Sequence, residues 1–139
     1  MIITLLAIMI TAVTSPSSAE AVQAGEIASL KKSSAYVEQY VRVYFSDIPE
    51  MAEVAQCESR FRQYDEDGNT LRGEENRRDV GVMQINEQYH LHDALEMGID
   101  LYTLEGNLEY ARHLYETMGL KPWKYSKKCW GTQTLALAR

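Results

Sequence analysis

The chain has 139 residues, which is enough for one domain with a buried core and leaves little room for a second. Its formal net charge is −6, with 14 Lys and Arg against 20 Asp and Glu. That balance predicts no broad basic surface, which argues against nucleic acid as a partner.

The N-terminus has the pattern of an export signal. Residues 2–13 form an apolar run too short to span a bilayer comfortably, and small residues at positions 17–19 precede a plausible cleavage site. We therefore predict a signal peptide over residues 1–19 and a location in the periplasm, the cell envelope or outside the cell. No Lys or Arg precedes the apolar run, so an uncleaved membrane anchor is the alternative.

The next two segments differ in periodicity. Residues 20–33 are small, polar and weakly periodic, which predicts a linker or a loosely docked helix. From residue 34, Val37, Tyr40, Val41 and Tyr44 recur at helical spacing, which predicts an amphipathic helix that ends near Phe45.

A second helix follows, and it carries an acidic residue in an unusual place. Asp47 and Glu50 have the spacing of a capping box, and Pro49 suits the first turn. Glu58 stands two helical turns after Met51, on the face that should be buried. Burial raises the pKa of a carboxyl group, which suits a general acid. The alternative is that Glu58 pairs with an arginine such as Arg60 or Arg62.

Residues 62–80 break the helical pattern. The run of residues 65–69, Asp-Glu-Asp-Gly-Asn, predicts a turn, and a small β-hairpin is the expected result. The run resembles the start of a calcium loop, but Thr70 and Asn76 stand where such a loop has glycine and glutamate. The three histidines have no shared metal spacing either, so no metal or cofactor is predicted.

The C-terminal half is predicted to be helical. Residues 90–97 predict a short helix stopped by Gly98, and Thr103 can cap a longer one that ends at Gly119. A last short segment runs through Trp130, and residues 131–139 are predicted to be a tail. The sum is an α+β domain, mostly α-helical, with one hairpin.

Two cysteines, Cys57 and Cys129, lie far apart in the chain. Export makes a disulfide between them plausible, and closing such a loop contributes about 4 kcal/mol in the chain-entropy model. Two ordinary buried thiols are the alternative.

Three short motifs together resemble the lysozyme-like superfamily, in particular its soluble lytic transglycosylase branch. The motifs are Glu58-Ser59-x-Phe61, Gly81-Val82-Met83-Gln84-Ile85-Asn86, and Asn107-Leu108 with Ala111. The resemblance covers roughly residues 48–130 and implies a lysozyme-like domain over residues 34–130, with the hairpin beside the catalytic helix. It implies that Glu58 is the catalytic acid. Residues expected to bind substrate are Ser59, Gly81, Met83, Gln84, Asn107, Tyr115 and Tyr125.

The sequence departs from this family in two places. The usual Tyr-Asn-Ala-Gly stretch is absent, so Tyr115 and Tyr125 are only candidates for the tyrosine of the cleft. The run that begins at Asp79 also resembles animal-type lysozymes, whose second carboxylate would correspond to Asp79. Retaining glycosidases hold two carboxyl groups about 5 Å apart, whereas a lytic transglycosylase needs only one.

The resemblance implies an exported enzyme that cuts the β-1,4 bond between N-acetylmuramic acid and N-acetylglucosamine. Its partner would be the glycan strand of peptidoglycan, and the protein would act as a monomer that contacts a membrane only if residues 1–19 remain attached. Two alternatives stay open. One is a hydrolysing lysozyme that uses Glu58 and Asp79, and the other is a non-catalytic domain that binds the cell wall.

Overall fold

The computed structural model describes residues 18–137, with side chains as far as residue 132, so most of the predicted signal peptide lies outside it. Six α-helices are described: Ser18–Lys32 (α1), Ser34–Tyr44 (α2), Pro49–Ser59 (α3), Glu87–Glu96 (α4), Leu104–Met118 (α5) and Lys127–Leu137 (α6). A 3₁₀ helix, Lys121–Ser126, precedes α6, and Asp79–Val80 (β1) pairs antiparallel with Ile85–Asn86 (β2). The predicted class, α+β and mostly helical, is confirmed.

Residues 20–32 are helical, as part of α1, and this helix buries none of its residues. Its C-terminal end touches the turn of residues 65–69, because the Nζ of Lys32 donates to the carbonyl of Gly68 at 3.2 Å and lies over the ring of Tyr64. None of the helices between residues 18 and 137 is long and apolar enough to cross a membrane.

The core lies between α2, α3 and α5. Val37, Val41 and Phe45 are fully buried along the stripe that helical periodicity predicted, and Ser33 caps α2 by accepting from the amide of Tyr36. Leu108 of α5 is also fully buried. Helix α3 contacts α2, α6 and the 3₁₀ helix, and Cys57 and Glu58 in its last turn are only partly buried.

The predicted cap of α3 is wrong. Ile48 occupies the cap position without a side-chain hydrogen bond, although Pro49 does stand in the first turn. Both carboxylate oxygens of Asp47 instead accept from the guanidinium of Arg112, at 2.8 and 2.9 Å. A bidentate ion pair is stronger than a bond to one backbone amide, so the distant arginine takes the carboxylate.

The small hairpin lies further along the chain than predicted. Within residues 62–78 the backbone makes only isolated bridges, Tyr64 to Thr70 and Arg72 to β1. The side chain of Asp65 accepts from the backbone amide of Asn69, which closes a local turn as expected. The two-residue strands β1 and β2 lie on either side of residues 81–84, the segment that resembles part of a sugar cleft.

Side-chain caps mark where the helices α4 and α5 begin. Asn86 accepts from the amide of Gln88 and starts α4 three residues earlier than predicted, while Thr103 caps α5 as predicted. Helix α6 continues past residue 130, where the predicted domain ends, as far as Leu137. Residues 131–137, which were predicted to belong to a tail, are therefore the C-terminal part of a helix that begins at Lys127, inside the predicted domain.

Candidate active site

Glu58 lies on the last turn of α3 and opens into a cleft of about 480 Å³. The cleft is lined by the C-terminal turn of α3, residues 71–76, Asp79, Gln84 and the end of the 3₁₀ helix. Most of the residues that line it are polar or charged, which suits an extended hydrophilic ligand better than a small apolar one.

The carboxyl group of Glu58 is half-buried, and burial raises its pKa above the ordinary value. The negative charge of Asp79 raises the pKa of Glu58 further, while the hydroxyl of Ser126 opposes both by stabilising the carboxylate. Among the described residues, no arginine forms a salt bridge with Glu58. The site therefore favours a carboxyl group that carries its proton at higher pH than a free side chain does.

Asp79 faces the same cleft from β1, but its side chain is tied to its own hairpin. Its Oδ1 accepts from the side-chain Nδ2 of Asn86 at 2.7 Å and from the side-chain Nδ2 of Asn76 at 3.3 Å. Neither of the neighbouring arginines, Arg77 and Arg78, forms an ion pair with it in the described part of the chain; Arg78 lies 3.6 Å from Glu87. Asp79 thus stabilises the hairpin while remaining close enough to act on Glu58.

Residues 81–84 are held from behind by the fully buried side-chain amides of Asn107 and Gln63. The Oδ1 of Asn107 accepts from the amide of Met83 at 2.9 Å, and its Nδ2 donates to the carbonyls of Val80 and Leu101. The Oε1 of Gln63 accepts from the amide of Val82 at 2.8 Å. These bonds satisfy backbone groups in the interior and fix the shape of the loop on which Gln84 reaches the cleft.

We expect Gly81→Ala to destabilise the fold by about 3 kcal/mol, because two costs add. Gly81 has a φ of +73°, and a Cβ there would clash with the side-chain amide of Asn107 and stand 2.8 Å from the Oε1 of Gln63. Gly98 is the matched control: its φ is +75°, but a Cβ would meet nothing within 4 Å. Gly98→Ala should therefore cost only about 1 kcal/mol. Equal losses in urea unfolding would contradict the steric argument.

The structure brings only some of the predicted substrate-binding residues to the cleft. Gln84 and Tyr125 line it, and Tyr125 is 90% exposed. Ser59 borders the cleft, but its hydroxyl is buried and bonds the carbonyl of Ala55 and the amide of Arg62. The remaining predicted residues stand behind or away from the cleft: Gly81, Met83, Asn107 and Tyr115.

The physical reason for these differences is burial. Met83 is fully buried, and its carbonyl accepts from the indole of Trp123 at 2.9 Å. The side-chain oxygen and nitrogen of Asn107 bond to backbone groups. Gly81 packs so closely against Asn107 that a larger residue would clash. In this structure they build the wall of the cleft from behind, and their predicted contact with substrate stays a prediction.

Sequence reasoning missed Ser126, whose Oγ lies 2.5 Å from the Oε1 of Glu58. It stands on the 3₁₀ helix, between two buried tryptophans that bond to each other: the indole of Trp130 donates to the carbonyl of Trp123 at 3.0 Å. The pair of tryptophans around a short polar run was the available signal, since it marks a segment that is anchored in the core.

Cys57 and Cys129 form a disulfide, as predicted. The bond joins α3 to α6 at the residue that precedes Glu58, and Cys57 itself lines the cleft. A disulfide is compatible with an oxidising, exported location. The cross-link thus fixes the carboxyl group and the segment that carries Ser126 relative to each other.

No group of three or more His, Cys, Asp or Glu side chains that could hold a metal ion occurs in the described part of the chain. Comparison with known proteins adds no relative: no family model, no curated protein and no solved structure matches this chain.

Proposed function

We propose that this protein is an exported, lysozyme-like enzyme that cleaves the β-1,4 bond between N-acetylmuramic acid and N-acetylglucosamine in peptidoglycan. Glu58 acts as the general acid and then as the base, in the manner of a lytic transglycosylase. Gln84 and Tyr125 contact the glycan strand along the cleft.

The observation that carries this proposal is the environment of the Glu58 carboxyl group. Its carboxyl group is half-buried at the end of α3, opens into a polar cleft, and has a raised pKa because of burial. A general acid for a glycosidic oxygen must be protonated and must also reach solvent-filled space where a sugar can bind. The raised pKa of Glu58 and its access to the cleft both support this role.

The contacts of Asp79 favour transglycosylation over hydrolysis through a covalent intermediate. Its Oδ1 already accepts two amide hydrogen bonds, from Asn86 and Asn76, which hold the carboxylate against the hairpin. In the transglycosylase reaction the 6-hydroxyl of the muramic acid attacks its own anomeric carbon, so no second carboxylate is needed. The product is then a 1,6-anhydro sugar.

Digestion of purified peptidoglycan tests the proposal. Soluble fragments should be released, and mass spectrometry should find 1,6-anhydromuramyl ends, which lack one water relative to reducing ends. Reducing ends alone would assign the hydrolysing alternative. Binding to the wall without any release of fragments would reject enzymatic cleavage and support the non-catalytic alternative.

Asp79→Asn should leave the anhydro product and most of the cleavage rate in place. Asparagine keeps an oxygen at the same position that can accept from Asn86, so the hairpin is preserved. The substitution removes a charge that raises the pKa of Glu58, so activity that depends on protonated Glu58 should be lost at a lower pH than in wild type. A rate loss of about 100-fold or more, with reducing ends in the wild-type digest, would instead identify Asp79 as a nucleophile.

A further inference from the structure

Ser126 has two acceptors within reach and one proton to give. Its Oγ lies 2.5 Å from the Oε1 of Glu58 and 3.1 Å from the carbonyl oxygen of Trp123. A hydroxyl donates one hydrogen bond and accepts through its lone pairs, whereas a backbone carbonyl can only accept. When the proton of Ser126 points to Trp123, the contact with Glu58 is satisfied only if Glu58 is the donor, which requires the carboxylic acid.

The partner on the other side of Ser126 is rigid. The carbonyl of Trp123 also accepts from the indole of Trp130 at 3.0 Å, and the indole of Trp123 donates to the carbonyl of Met83. Both tryptophans are buried, with 4% and 7% of their surface exposed. The disulfide holds the following helix against α3. Ser126 is therefore anchored to the core while its hydroxyl hydrogen stays free to rotate.

We propose that Ser126 is a positioning residue that serves Glu58 in both of its protonation states, an inference that rests on the proposed function. With Glu58 protonated, Ser126 accepts from the carboxyl group and donates to the carbonyl of Trp123. With Glu58 ionised, the hydroxyl turns and donates to the carboxylate. A rotation about one single bond thus replaces any movement of the carboxyl group.

The reaction needs both states in turn. Glu58 gives its proton to the glycosidic oxygen as the bond between that oxygen and the anomeric carbon breaks. The carboxylate then takes the proton of the hydroxyl that attacks the anomeric carbon, so the acid is restored and protons balance. Ser126 neither gains nor loses a proton overall; it holds Glu58 at the same place in each half of the reaction.

The test is a direct titration of Glu58 by carboxyl ¹³C NMR in wild type and in Ser126→Ala, together with the pH profile of peptidoglycan cleavage. A charge-assisted hydrogen bond is stronger than a neutral one, so its loss harms the carboxylate more than the acid. We expect Ser126→Ala to raise the pKa of Glu58 by about one pH unit. It should also lower kcat about tenfold, with little change in KM. Ser126→Thr keeps the hydroxyl and should restore both values.

The control is Thr132→Ala on α6, which also removes a hydroxyl bonded to a backbone carbonyl, at 2.9 Å from Lys128, but lies outside the cleft. The charged side chains around Glu58 are unchanged in all variants: Arg60, Arg62, Arg72, Glu74, Glu75 and Asp79. An unchanged or lowered pKa of Glu58 in Ser126→Ala, or the same shift in Ser126→Thr, would overturn the proposal. Because the titration needs no turnover, it separates failure of this inference from failure of the proposed function.

Discussion

Replacing Glu58 by glutamine is expected to lower the release of peptidoglycan fragments by about 10³-fold. Glutamine has nearly the same shape and can keep a hydrogen bond to Ser126, but it can neither give a proton to the glycosidic oxygen nor take one back. The measurement is the rate of soluble muropeptide release from purified peptidoglycan. Similar rates in wild type and Glu58→Gln would remove the basis of the proposed function.

The same substitution should make the fold more stable at neutral pH, which shows that lost activity is not lost structure. The pKa of Glu58 is raised in the folded state because burial penalises the charged form. Below the unfolded-state pKa the carboxyl group is protonated in both states and carries no penalty. As pH rises through the folded-state pKa, wild type loses stability that Glu58→Gln keeps. Urea unfolding at pH 4 and pH 8 should show the gain only at the higher pH.

A matched control for Glu58→Gln is Glu96→Gln on α4. That carboxylate is 70% exposed and lies outside the cleft, so its loss should change neither the rate of cleavage nor the pH dependence of stability by a measurable amount. A stability change of the same size in both variants would mean that the effect comes from net charge and is unrelated to burial.

The elements that could be predicted from sequence are those decided by local chemistry. Periodicity located α2, and Thr103 capped α5 as its type and position suggested. The predicted cap at Asp47 failed because Arg112, on a distant helix, binds that carboxylate more strongly. Sequence neighbours suggest which groups can cap a helix, but tertiary contacts decide which ones do.

The candidate site shows the same contrast between local patterns, which sequence reveals, and tertiary contacts, which it does not. Helical phase made Glu58 a candidate, because an acidic residue on an apolar face is a local anomaly. The partners of Asn107 could not be predicted, because they are backbone groups of Val80, Met83 and Leu101, which no local pattern connects to it. Ser126 was missed for a similar reason: its partner Glu58 is 68 positions away. Contacts across such distances need the fold itself.

Removing the disulfide is expected to destabilise the fold strongly. The cross-link joins residues 72 positions apart, and its loss in a Cys57→Ser, Cys129→Ser double variant should lower the free energy of unfolding by about 4 kcal/mol. The melting temperature should fall by on the order of 15 °C for a domain of this size. Chemical denaturation and calorimetry measure both quantities.

The consequence for the site follows from what the cross-link holds. Cys57 precedes Glu58, and Cys129 lies three residues after Ser126, so the bond keeps the carboxyl group and its hydroxyl partner on two elements that cannot drift apart. Below its own melting temperature the double variant should therefore still show reduced cleavage. Wild type treated with a reductant is the control, because it loses the bond without any substitution and should match the variant. Unfolding free energies that agree within about 1 kcal/mol between oxidised and reduced wild type would contradict the stabilising role.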